Sequence, residues 1–167
     1  METHEIKRHL TELIINVLEK ERDASIEGEK VSKDEAASHV GAMESRYDTF
    51  KEEAQYRASG HARRRSEIDA SLHAVATFKD DRRCFVNADR VRLGALVTVV
   101  DYTSKDTTTY FIVPAGGGYT FVISDQTINT LNVRSPLAAS MILHFEGDEA
   151  SIAINGVERK MSIIKIK

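Results

Sequence analysis

Apolar or small residues recur, mostly in steps of three and four, at Ile6, Leu10, Leu13, Val17, Ala24, Val31 and Ser38, then again at Tyr47, Phe50, Ala54, His61, Ile68, Leu72 and Val75. That spacing draws one stripe along each of two helices, as in a two-stranded coiled coil folded back on itself. A long antiparallel helical hairpin is therefore predicted over residues 1–78, with its turn near 38–45. Each arm of about 35 residues would reach roughly 50 Å, so the hairpin is expected to project. Thr3 is the expected cap of the first helix, with Glu5 in its first turn. Gly28 leaves an alternative turn at Gly28 to Ser32, with Ser32 and Glu35 as a capping box. The later turn gives arms of similar length and leaves Ser45 and Asp48 in the S-x-x-[DE] arrangement that opens a helix.

Lys79-Asp80-Asp81-Arg82-Arg83 reads as a charged linker over 79–84, and from Phe85 the period changes to that of strands. Val91 to Tyr102 alternates, Thr107 to Val113 is β-branched and aromatic, and Tyr119 to Ser124 follows the turn chemistry of Pro114-Ala115-Gly116-Gly117-Gly118. No helix and no lysine follow the three glycines, which excludes a phosphate loop. Ser135-Pro136 starts a short helix, Leu137 to Leu143. Glu146-Gly147-Asp148 turns the chain, and Asn155-Gly156 joins Ala150–Ile154 to Val157–Ile166 as a hairpin. The fold class is α+β: a helical hairpin, then a small curved antiparallel sheet carrying one helix over 85–167.

Composition narrows the function. No apolar run approaches a membrane span, no signal-peptide core follows the N-terminus, and Cys84 is the one cysteine, so a reduced, cytoplasmic compartment is expected. The six histidines lack metal-ligand spacing, and no intrinsic cofactor is expected. The net charge of −3 is uneven, with residues 19–53 at −5. No basic stripe marks sequence-specific DNA binding. An acidic arm suits a basic protein channel, or a metal ion held beside a polyanion.

Several segments carry a family likeness. Leu93-Gly94-Ala95-Leu96-Val97-Thr98-Val99 resembles the F-G-A-T-V-T-V strand of the bacterial Gre transcript-cleavage factors, and Thr109-Tyr110-Phe111-Ile112-Val113 their T-Y-x-I-V strand. Ser135-Pro136-Leu137-Ala138 is similar to S-P-I-A, Glu146-Gly147-Asp148 contains the following G-D turn, and Lys51-Glu52-Glu53-Ala54-Gln55-Tyr56 is similar to K-E-N-A-E-Y. The resemblance implies an FKBP-like C-terminal domain that docks at the rim of the RNA polymerase secondary channel, with Ser135, Pro136, Glu146 and Asp148 as docking candidates. It implies that the coiled coil enters the channel, touches nascent RNA only indirectly, and shares Mg²⁺ with the polymerase at its tip. The tip departs from the family's G-D-x-x-E pattern. Aligned on Gly41, Ala42 takes the aspartate position; aligned on Lys51, Thr49 does.

Each candidate also has a plain structural reading. The tip acids Glu44, Asp48 and Glu52 are the expected Mg²⁺-assisting set, yet Asp48 fits a capping box and Glu44 a favourable helix end. Arg63, Arg64 and Arg65 are a basic contact to a partner, or a solvated face paired at i,i+4. His61 and Cys84 read as packed residues. The leading expectation is a non-enzymatic factor that binds RNA polymerase and modulates elongation, pausing or cleavage. Alternatives are a coiled-coil adaptor or chaperone, and a prolyl isomerase built on aromatics such as Tyr102, Tyr110, Phe111, Tyr119 and Phe121.

Overall fold

The computed structural model describes residues 2–38, 44–154 and 156–167, apart from the side chains of 38, 44–48 and 154. Two long helices, α1 (Thr3–Ser38) and α2 (Glu44–Asp80), precede a six-stranded sheet. The predicted turn centre, 39–43, lies outside the described residues, and α1 runs unbroken through the alternative turn at Gly28 to Ser32. The helix begins one residue earlier than expected. Thr3 is its first residue, and the Glu5 carboxylate accepts from the Glu2 N–H at 2.9 Å, so Glu2 takes the capping position. Likewise α2 has begun by Glu44, which puts Ser45 inside it rather than at its cap. The expected linker is mostly structured: Lys79 and Asp80 finish α2, and Arg82–Cys84 form a 3-10 turn capped by Asp81.

By its internal contacts the chain divides into two compact units, Met1–Ile15 with Ala74–Lys167, and Asn16–His73. In the first, the strands are β1 (Leu96–Asp101), β2 (Thr107–Val113), β3 (Thr120–Ile123), β4 (Gln126–Asn132), β5 (Glu149–Ile154) and β6 (Val157–Ile166), with α3 (Pro136–Met141) between β4 and β5. Their order across the sheet is β3-β4-β2-β1-β6-β5. All neighbours are antiparallel except β2 and β4. Alternation sends Val97, Val99, Ile112, Met161 and Ile163 to a core shared with Ala138 and Met141 of α3. Leu96 and Phe111, paired across β1 and β2, point the other way. There Phe78 of α2 meets Phe111 and Phe85, with ring centroids 6.0 and 5.4 Å apart.

Two local departures have clear causes. The strand expected from Val91 starts only at Leu96 because Gly94, at φ +82°, packs against the Cys84 carbonyl, where a Cβ would collide. The glycine run between β2 and β3 carries the chain into its one parallel pairing. Gly116 and Gly118 take positive φ, and a Cβ on Gly117 would stand 2.6 Å from the Asn132 nitrogen.

In the second unit, the buried seam of α1 runs one residue later than the predicted stripe. Ser25, Glu29 and Ser32 are buried while Ala24 and Val31 are exposed. On α2 the expected Ala54 and Ile68 are buried, joined by Ala58. His61 is half-buried and lies over Gly28, whose missing Cβ makes room for the imidazole. Small and polar residues thus fill a seam where the sequence pattern had placed apolar ones.

Candidate interaction surface

The residues nominated around α3 build a rigid loop. Ser135 caps α3, its hydroxyl accepting from the Ala138 N–H at 3.2 Å, and Pro136 follows at the first helical turn. The helix ends at Met141, and the next residues are pinned from both sides. Leu143 N–H donates to the Val91 carbonyl at 2.9 Å, and Val91 N–H to the His144 carbonyl at 2.8 Å. The Asp148 carboxylate accepts from Phe145 N–H at 2.7 Å, and the Glu146 carboxylate from Ile166 N–H at 2.6 Å. Ser135, Glu146 and Asp148 are therefore committed to shaping this loop. What they present is apolar: Leu143, held at φ +69° and 63% exposed, and Phe145, 50% exposed.

Sequence reasoning missed those two residues. The helix predicted over Leu137 to Leu143 ends at Met141, which leaves Leu143 outside it. A signal was available, since an apolar pair straddling the end of a helix and followed by a tight turn has no regular face to hide on.

Two of the three arginines reach acids of the facing helix, and the third pairs along its own. Arg64 bonds Glu21 at 2.8 Å, Arg65 bonds Glu29 at 2.9 Å, and Arg63 bonds Glu67 at 3.2 Å along its own helix. Arg57 and Glu35 add a further interhelical pair at 2.8 Å. Glu29 accepts from Lys33 as well as Arg65, and the Lys33 bond above all holds its carboxyl below the usual range. This is the solvated, paired face that spacing allowed, extended across the seam.

Of the tip acids, Glu52 is exposed on α2, while the side chains of Glu44 and Asp48 lie outside the described residues. Among the described residues no group of three His, Cys, Asp or Glu side chains is placed to hold a metal ion. No described helix is long and apolar enough to cross a membrane.

Buried ionisable groups mark the root of the helices. Lys7 is fully buried, donates to the Val86 carbonyl at 3.0 Å, and is pulled down to about 8 by burial and by the charge of Arg92. Burial pushes the Cys84 thiol up, as befits a packed residue rather than a nucleophile. The aromatics considered for an isomerase pocket do not share one. Phe111 is buried against Phe78, Tyr119 meets Phe121 at a tilt with centroids at 6.3 Å, and Tyr110 lines a cavity of about 170 Å³ with Leu137, Ile152 and Arg159.

Comparison with known proteins adds a likeness over the sheet domain. Residues 86–167 match the model described as transcription elongation factor, GreA/GreB, C-terminal. The chain is 36% identical over 81 residues to transcription elongation factor GreA of Vibrio cholerae, covering 48% of each. To GreA of Hyphomonas neptunium it is 34% identical over 101 residues, covering 60% of this chain and 59% of that one. The chain thus spans about half the length of the curated relatives it matches. Among solved structures it is similar to the GreA factor homolog 1 (Gfh1) of Thermus thermophilus, at 16% identity, 94% coverage of each chain and a TM-score of 0.37. Through residues 86–167, this chain is similar to the C-terminal domain of the GreA/GreB transcription elongation factors.

Proposed function

We propose that this chain binds bacterial RNA polymerase and modulates elongation, pausing or transcript cleavage without being an enzyme itself. The observation that carries the reading is the match of the whole sheet domain to a domain of named transcription elongation factors. The domain docks at the rim of the secondary channel through the Leu143–Phe145 ridge and the residues that shape it, Ser135, Pro136, Glu146 and Asp148. The helices deliver the acidic stretch around 44–52 into the channel, in indirect contact with nascent RNA. Any Mg²⁺ held there is shared with the polymerase, with Glu44, Asp48 and Glu52 as the protein's contribution. A carboxylate brought to such a site supplies a hard oxygen ligand and orients water.

Pull-down with purified polymerase tests the docking. Wild type is expected to be retained, and Leu143→Asp with Phe145→Asp to be lost while keeping its circular dichroism. No retention of wild type, where a GreA factor is retained, sinks the proposal. Stalled elongation complexes with wild type and with Glu44→Ala plus Asp48→Ala then read cleavage and pausing; identical behaviour removes the tip acids from the mechanism.

A further inference from the structure

The two edges of the sheet are unequal. On one side β3 is four residues long. On the other, β5 is six residues long and pairs residue for residue with β6, from Glu149↔Ser162 to Ile154↔Val157, without a bulge. From Ala150 to Ile154 it carries no ionisable residue and no proline. Edge strands are ordinarily guarded by one of those devices, because their outer backbone groups template pairing with another chain.

Parity decides which groups face outward. In an antiparallel pair, residues alternate between bonding the neighbour and facing away from it. The Lys160 carbonyl accepts from Tyr102 N–H at 3.0 Å, so the backbone of Lys160 faces away from β5. Its partner Ser151 therefore faces away from β6, and so do Glu149 and Ala153. Among the described residues no backbone hydrogen bond meets the outward groups of Ser151 and Ala153.

We propose that the β5 edge is a self-association surface, on which a second copy of this chain pairs its own β5 antiparallel about a two-fold axis at Ile152. In this register Ser151 and Ala153 each exchange both main-chain bonds with Ala153 and Ser151 of the second copy, four bonds in all. The two Ile152 side chains face each other across the axis. Ile152 already packs half-buried beside the core of Ala150 and Met161, so the contact extends an apolar layer. Glu149, the one acid of the strand, is not set against its counterpart, so no like charges meet. An isologous contact of this kind closes at two copies. Its area is at the small end for a protein interface, so the pairing is concentration-dependent. It requires no polymerase, and its failure leaves the proposed function standing.

Cysteine placement in the full-length chain reads the register directly. The axis puts Ile152 opposite itself at a non-bonded position, about 4.5 Å between Cα atoms and within disulfide reach. Ser151 is two residues out of register with its counterpart, beyond the roughly 7 Å limit. Under mild oxidation Ile152→Cys is expected to give a covalent dimer and Ser151→Cys to remain monomeric; Cys84 is buried. No dimer from folded Ile152→Cys, or equal dimer from both variants, overturns the proposal. If Ile152→Cys does not fold, sedimentation of the unaltered chain decides. A dimer that weakens at least tenfold in Ala153→Pro, which removes an outward N–H and spares the bonds to β6, supports it. A monomer up to about 1 mM, or unchanged association in the proline variant, overturns it.

Discussion

The sheet-bearing unit and the unit of residues 16–73 use the same two helices in opposite ways. Near the sheet, α1 and α2 bury Leu10, Ile14, Val75 and Phe78, with Phe78 wedged between two further rings. In the other unit Leu18 and Ile68 are buried, but the rest of the seam is Ser25, Gly28, Glu29 and Ser32 against Ala54, Ala58 and His61, and cross-helix ion pairs take over. The first arrangement draws its stability from area removed from water. The second gains less from area, and its charge pairs are exposed to screening by salt. One pair of helices thus rests mainly on apolar burial in one unit and on charge pairs and small residues in the other.

That contrast can be broken at three places. Phe78→Ala removes a buried ring from the root and is expected to cost about 3–5 kcal/mol, read as a lower urea midpoint. A loss under 1 kcal/mol would show that the rings are not what holds the root. Arg65→Ala should lower the melting temperature modestly and reduce its sensitivity to salt, because Arg65 reaches across to the largely enclosed Glu29. Arg63→Ala, whose partner lies on its own helix, should change neither. Equal behaviour of the two would mean that the cross-helix pair contributes nothing special. The smallest effect sharpens the comparison most. Gly60 has open space where a Cβ would go, so Gly60→Ala should stabilise α2 by about 1 kcal/mol or less. At Gly28 the same Cβ would stand 2.6 Å from the His61 ring. Gly28→Ala should therefore gain less or lose, and recover in a His61→Ala background. Thermal melts of the wild type, Gly28→Ala, His61→Ala and the double variant form the cycle.

Much of the sheet was legible because its signals are local. Thr107–Val113 is β2 residue for residue, Ser135-Pro136 opens α3, and the hairpin flanking Asn155-Gly156 pairs as expected, although Asn155 itself lies outside the described residues. Strand β4 escaped notice. Its burial alternates through Ile128 and Thr130, but polar side chains hide the period, and its turn is Ser124-Asp125 with both residues at positive φ. That pair is a weaker signal than Asn-Gly. The parallel pairing of β2 with β4 is a matter of topology, which no local pattern encodes. The one-residue error along α1 has a different origin. It begins where apolar residues stand side by side, Ile14 and Leu18 being buried beside the predicted Leu13 and Val17, and it persists where the seam is serine and glutamate and a search for apolar residues finds Ala24 and Val31 instead. The arginine run showed the same limit, since spacing along one helix says nothing of acids on the other.

The place of β1 in the sheet has a consequence for how the protein reaches its native state. β1 bonds β2 just after it, but its other neighbour, β6, comes more than sixty residues later, as the pairing of Val99 with Ile163 shows. Local hairpins such as β3–β4 and β5–β6 close small loops and can form early. The central seam must wait for the chain to bring its distant partner back, with the loop entropy that implies. Until then Val97 and Val99 have a neighbour on one side only, and β6 is expected to join the sheet late.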